Sequence, residues 1–265
     1  MVVRENAGKL VVSHLRTFVR GCLDNPFGDR LKSILHPNPP WYIRPWTADL
    51  ALSDLIPWRC DDEWNTRFDI MNLPSLVFPD EQPTDHTLFV VFDSEGNEIK
   101  RIKNTLEPYQ SISIHFDEIL DGKSSGGTFA CFHHAPAIDE SLLNGSYFID
   151  RQYVSFKRQG EPLWSFAHGN VTALTHRPGA DNFGCLTTKP KNWATYRPQI
   201  HFDDCEKFEV VYANPTLRTA SVGLTFMDNN LNKIGSAQET IPPAGVRVIE
   251  YLNSNRDCVR IEHSG

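Results

Sequence analysis

The chain has 265 residues, 40% of them hydrophobic and 11% aromatic, which is enough apolar material for real cores and too much for a disordered chain. Its formal net charge is −7, and because residues 1–35 hold six Lys/Arg against three Asp/Glu, the remainder carries −10. An acidic body argues against a nucleic-acid partner, which needs basic side chains to displace the counterions of phosphates, and no apolar run is long enough to make an integral membrane segment.

Residues 7–23 have the period of a helix: Val11, Leu15, Phe18, Val19 and Cys22 form one apolar stripe, and Asp24-Asn25-Pro26 stops it. The preceding Leu10-Val11-Val12 is cut off by Ser13 and His14, too short for a signal-peptide core, so a cytoplasmic protein is expected. The Pro-rich stretch from His36 to Trp46 reads as a stiff, extended connector.

From there the pattern is that of strands. Leu88-Phe89-Val90-Val91-Phe92 is a continuous apolar run that ends in the turn Asp93-Ser94-Glu95-Gly96-Asn97. Ile112, Ile114 and Phe116 alternate with polar residues at period two, and Thr128 to Phe132 reads as a further strand. Tyr147–Lys157 and Leu163–Asn170 read as a hairpin around Arg158-Gln159-Gly160-Glu161-Pro162. Residues 173–200 are rich in Pro, Gly and Asn and read as a surface connection.

A shift of 135 residues, without gaps, matches Asp93 with Asp228, Asn97 with Asn232, Ile99 with Ile234, Thr105 with Thr240, Leu106 with Ile241 and Pro108 with Pro243. Each copy has a strand, a polar turn, a second strand, a Pro-containing bend and a third strand. Such a unit cannot bury one face alone, and stacking into two sheets does so. The expected fold class is therefore mainly β: two repeated immunoglobulin-like β-sandwich units with an N-terminal amphipathic helix and an inserted hairpin. The expected divisions are 1–46 (helix and connector), 47–172 (first unit), 173–200 (connector) and 201–265 (second unit).

The stretch Asn214-Pro215-Thr216 through Val222-Gly223-Leu224-Thr225-Phe226-Met227-Asp228 to Ile241-Pro242-Pro243 resembles the accessory immunoglobulin-like domains common in bacterial proteins. The resemblance covers roughly half the chain and is one of strands and turns. It implies a module that binds, spaces or assembles, and it carries no functional residues with it.

Of the six cysteines, Cys22, Cys60, Cys131, Cys185, Cys205 and Cys258, none stands in a C-x-x-C pair, and Cys60/Cys131 and Cys205/Cys258 take similar places in the two units. In a cytosolic chain they read as buried free thiols. No G-x-S-x-G or P-loop spacing is present, and no cofactor is expected.

Two sets of residues suggest sites. Trp164, Phe166 and His168 fall at i, i+2 and i+4 of the hairpin's second strand, while Arg151 and Tyr153 share a face of the first. With Asn170 they make an aromatic surface edged by polar groups, as a sugar-binding face requires: rings stack on the pyranose and polar groups read its hydroxyls. The plainer reading places Trp164 and Phe166 in the core. His115-Phe116-Asp117 and His201-Phe202-Asp203 each have the H-x-D spacing of non-haem iron sites, which makes His115 and Asp117 candidate metal ligands, although the motifs stand 86 residues apart and do not follow the duplication. His133 and His134 are adjacent on a strand and so point to opposite faces. A non-enzymatic binding or assembly protein for a glycan or a partner protein fits these features best. A metal-dependent jelly-roll enzyme and a structural homo-oligomer are the alternatives.

Overall fold

The computed structural model describes residues 51–120, 125–135, 153–168, 172–185, 195–196 and 202–264, all within one compact unit, Ile43–Gly265. The helix expected at 7–23, the connector after it, Arg151, Asn170 and His201 lie outside the described residues.

The protein is mainly β. In chain order the strands are β1 (Ala51–Asp54), β2 (Ile56–Cys60), β3 (Trp64–Met71), β4 (Asp85–Asp93), β5 (Glu98–Leu106), β6 (Ser111–His115), β7 (Ser125–His134), β8 (Tyr153–Arg158), β9 (Ser165–His168), β10 (Thr172–His176), β11 (Gly184–Cys185), β12 (Thr195–Tyr196), β13 (Lys207–Ala213), β14 (Ala220–Met227), β15 (Lys233–Ile241), β16 (Val246–Leu252) and β17 (Arg260–Ser264). The described helices are both short: α1 (Leu73–Val77), capped by the Asn72 side chain, and α2 (Phe116–Ile119). No helix among the described residues is long and apolar enough to cross a membrane.

Strands β2-β7-β4-β5 form one four-stranded antiparallel sheet and β6-β3-β8-β9 a second. They stack through Trp58, Phe68, Phe89, Phe116 and Phe129, whose rings pack at 4.8–6.0 Å. The Trp58 indole N–H, buried at the edge of this core, donates to the carbonyls of Phe92 and Thr128. The other face of the first sheet is covered as well, by β1-β10-β11, through Leu88, Val90, Phe92, Ala130, Phe132 and Leu174. This explains why Leu88–Phe92 is apolar at every position: over Thr87–Phe92 β4 lies between two layers and has no solvent face.

Two departures from the sequence reading have local causes. Phe116 continues the period-two pattern of Ile112 and Ile114, yet it opens α2, and it reaches the same core from the first turn of that helix. Within the stretch read as a connector, Thr172–His176 pairs with β1, and Gly184–Cys185 pairs with β10, so part of it closes the third layer.

Residues 195–196 and 202–264 build a smaller sandwich. Sheet β12-β17-β14-β15 faces the two-stranded sheet β13-β16 over Phe202, Phe208, Leu224, Phe226, Ile249, Cys258 and Ile261. The two sandwiches meet at the turn 93–97 of one and the bend 242–246 of the other. There the Val246 N–H donates to the Ser94 carbonyl, the Thr128 hydroxyl donates to the Ala244 carbonyl, and Arg247 pairs with Glu95. Arg59 of β2 and Glu209 of β13 form a further ion pair across this junction. The described cysteines whose side chains are placed, Cys60, Cys131, Cys205 and Cys258, are free thiols.

Candidate functional site

The outer face of the β6-β3-β8-β9 sheet consists of the residues that alternate with its core positions. On β3, Thr66, Phe68 and Ile70 point inward, so Arg67 and Asp69 point outward. The ladders set His115 opposite Arg67, Arg67 opposite Ser155, and Ser155 opposite Phe166. Directly opposed residues share a face, so His115, Arg67, Ser155 and Phe166 form one row across four strands. In the neighbouring row Tyr153 stands opposite His168.

The side chains interlock. The Arg67 guanidinium lies over the Trp164 ring at 5.0 Å and the Phe166 ring at 5.9 Å, and the Lys157 ammonium lies 5.3 Å from Trp164. The His115 ring meets Trp164 edge-on at 6.2 Å. Each exposed cation–ring contact of this kind contributes about 0.5–1 kcal/mol. Asp69 holds Arg67 from the other side at 3.0 Å and accepts the Ser113 hydroxyl at 2.6 Å. The aromatic faces are nevertheless open: Phe166 is 60% and Tyr153 56% exposed. Ser155 is buried in the row, and its hydroxyl has no hydrogen-bond partner among the described residues.

The structure thus brings Trp164, Phe166 and Tyr153 to one outer face and puts His168 in the same set by register. His115, read from its motif as a metal ligand, belongs to this face beside Trp164, while Asp117 lies in the first turn of α2. Among the described residues no three His, Cys, Asp or Glu side chains stand close enough to hold a metal ion. Arg67 and Lys157 were not singled out from the sequence. The available signal was a cation at an outward position of an otherwise alternating strand, but the partner strand could not be assigned without the register.

A second polar cluster lies at the end of β7. Cys131, His133 and Asp85 line up, with the thiol 3.9 Å from His133 Nε2 and His133 Nδ1 2.6 Å from the Asp85 carboxylate. The order is that of a nucleophile, a base and an orienting acid, but the Cys131 side chain is 0% exposed, so the row acts as an internal hydrogen-bond line. The other Asp85 oxygen accepts the His134 backbone N–H at 3.0 Å. On the opposite face of the sheet His134 Nε2 meets His176 Nδ1 at 3.2 Å, and His176 Nε2 meets the Ala180 carbonyl at 2.9 Å. A carbonyl can only accept, so His176 carries its proton on Nε2 and takes a hydrogen bond from His134 through Nδ1. His134 Nδ1 is then a buried lone pair with no partner among the described residues.

Burial lowers the pKa of His134 to about 4, and the neighbouring His176 adds to the fall. Burial lowers His176 too. Unfolded, both rings would protonate near the ordinary histidine value, so the unfolded chain binds more protons once the pH drops below it. The stability from keeping His134 neutral is full above about pH 6.5 and is lost as the pH falls toward 4, an effect of about 3 kcal/mol. Urea unfolding from pH 7.5 to 4 is expected to show this slope in the wild type and to lose most of it in His134→Leu. Equal slopes in the two proteins would refute the assignment.

Compared with known proteins, the chain matches no family model, no curated protein and no solved structure.

Proposed function

We propose that this protein is a non-enzymatic binding protein that holds a glycan on the outer face of the β6-β3-β8-β9 sheet. The observation that carries this reading is the cluster of Trp164, Phe166 and Tyr153 with Arg67, Lys157 and His115 on that face, with two of the rings more than half exposed. A sugar ring offers apolar C–H faces and a girdle of hydroxyls. Exposed rings take the first, while fixed guanidinium, ammonium and imidazole groups take the second. The cations are fixed by their own stacking on the rings and, for Arg67, by Asp69, so little side-chain entropy is lost when a ligand arrives. A protein partner using the same face is the other outcome to be separated.

The test is a screen of immobilised glycans with the full chain, followed by Phe166→Ala and Trp164→Ala. Phe166 is exposed, so its removal is expected to leave the melting temperature within about 2 °C of the wild type, as for a surface change, and to weaken binding roughly tenfold or more. Binding that survives both substitutions unchanged would end the reading.

We also read the two sandwiches as copies of one immunoglobulin-like unit. Several details with the 135-residue offset support this. Asp93 accepts from the N–H groups of Glu95 and Asn97, and Asp228 from those of Asn230 and Asn232. The ladder irregularities at Val91/Phe92 and Phe226/Met227 correspond, as do the positive φ values at Gly96 and Leu231 and at Tyr109 and Ala244. The sheet orders β2-β7-β4-β5 and β12-β17-β14-β15 follow the same sequence of elements, and β3-β6 answers to β13-β16. The cysteines do not keep this correspondence: Cys131 stands opposite Phe89, but the residue opposite Leu224, which answers to Phe89, is His263.

A further inference from the structure

We infer that β13 is an open strand edge through which two copies of this chain pair about a two-fold axis. The inference rests on the reading that the sandwiches are copies of one unit, because it begins from a difference between them.

In the first sandwich β3 has a neighbour on each side, β6 on one and β8 on the other, and β8 covers Trp64–Phe68. In the second sandwich β13 is bonded to β16 alone among the described residues. Asn72 and Asn214 fix the equivalence. Each donates its side-chain amide to the carbonyls of an offset-matched pair, Leu106 and Glu107 in one copy and Ile241 and Pro242 in the other. Counting back from these asparagines, the stretch that β8 covers in the first copy corresponds to residues 206–210 in the second. Among the described residues, the side of that stretch away from β16 presents a row of unpaired backbone groups, a template for another strand.

The side chains say which strand fits. Lys207 and Glu209 lie on the outer face of β13, alternating with Phe208 and Val210, which turn toward the core. If residues 206–210 pair antiparallel with the same residues of a second copy, the axis passes at Phe208. Lys207 of each chain then stands opposite Glu209 of the other, twice over. Sliding the register by two residues would set lysine against lysine or glutamate against glutamate. Cross-strand opposite charges favour the first register and like charges oppose the others. A two-fold contact of this kind closes on itself and uses the β13 edge of both copies. It would join β16-β13 of both copies into one four-stranded sheet, making up for the strand that β8 provides in the first sandwich.

Sedimentation velocity on the full chain tests this with two charge reversals. Lys207→Glu gives a chain with two acidic residues at the seam, and Glu209→Lys gives one with two basic residues. In the latter Arg59 keeps Asp61 as a partner. The wild type is expected to dimerise. Each variant alone is expected to dissociate roughly tenfold more readily, and an equimolar mixture of the two to recover the dimer, since every opposed pair is then of opposite sign. Lys233→Glu, on the separate edge strand β15, serves as the control and is expected to dimerise like the wild type. A monomeric wild type, a Lys207→Glu protein that still dimerises fully, or a mixture that stays monomeric overturns the proposal. A monomer whose β13 amides are protected from hydrogen exchange would show instead that the chain fills its own edge. None of these outcomes bears on the matched turns at Asp93 and Asp228, so the duplication would be judged separately, by superposing them in an experimental structure.

Discussion

Replacing Asn72 by alanine is expected to cost about 3 kcal/mol, since a buried group left without its partner costs roughly 1–3 kcal/mol and several lose theirs at once. Asn72 is fully buried, and its side chain does the work of a short piece of backbone. The amide N–H groups reach the carbonyls of Pro83, Leu106 and Glu107 at 2.8–3.1 Å, and the oxygen caps α1 at Ser75. The carbonyls of Pro83, Leu106 and Glu107 and the Ser75 N–H all lose this partner in Asn72→Ala. Asn214 has the same task in the second sandwich, donating to Arg218, Ile241 and Pro242 at 2.7–3.0 Å. Asn214→Ala is therefore expected to lose a similar amount. Urea denaturation of both variants measures it. A loss below about 1 kcal/mol, the level of a surface substitution, would mean that the carbonyls find other partners.

The second large effect is expected at Gly96. Its φ is +81°, and a Cβ built there would lie 1.8 Å from the Pro243 carbonyl oxygen and 3.1 Å from the Gly245 nitrogen. These are backbone atoms of the other sandwich and cannot swing aside as a side chain can. Gly96→Ala must push the two sandwiches apart locally, with an expected loss of about 3 kcal/mol, near the upper end for overpacking. The matching turn residue in the second sandwich is Leu231, also at positive φ, where the turn is exposed and a side chain is accommodated. Leu231→Gly is expected to change stability by less than about 1 kcal/mol. Thermal unfolding of the two variants side by side separates the steric cause from the conformational one. Equal effects would rule out the steric account.

This contrast bears on what could be read from the sequence. Gly96 is legible as a turn glycine, because the pattern Asp93-Ser94-Glu95-Gly96-Asn97 states the turn chemistry locally. That it must be glycine because another sandwich presses on it is not local information. The same division holds across the molecule. The strand at Leu88–Phe92 was evident from its composition, but its place between two covering layers depends on β10, a short segment with little periodicity. Trp164, Phe166 and Tyr153 were placed on common faces by counting alternate residues. Arg67, the cation between two of those rings, comes from a strand almost 100 residues earlier and is found only through the β3–β8–β9 register. Period-two alternation carried the reading past His115 into Phe116, because a buried residue at a helix start satisfies the same pattern. Cys131 and Cys258 appeared comparable by order along the chain, but Cys131 stands in the β4–β7 ladder while Cys258 precedes β17.

The contact between the sandwiches joins backbone to backbone at Val246 on Ser94 and at the glycine turn seated on Pro243, and is braced by the Thr128 hydroxyl on Ala244 and by the ion pairs Arg247–Glu95 and Arg59–Glu209. Backbone contacts braced in this way offer no swivel. A ligand gripped near Trp164 and a neighbour met along β13 would therefore stand at a set distance and angle from one another, as two fittings on a single bracket. On heating, the pair would melt in one cooperative step, neither half being able to let go of the other first.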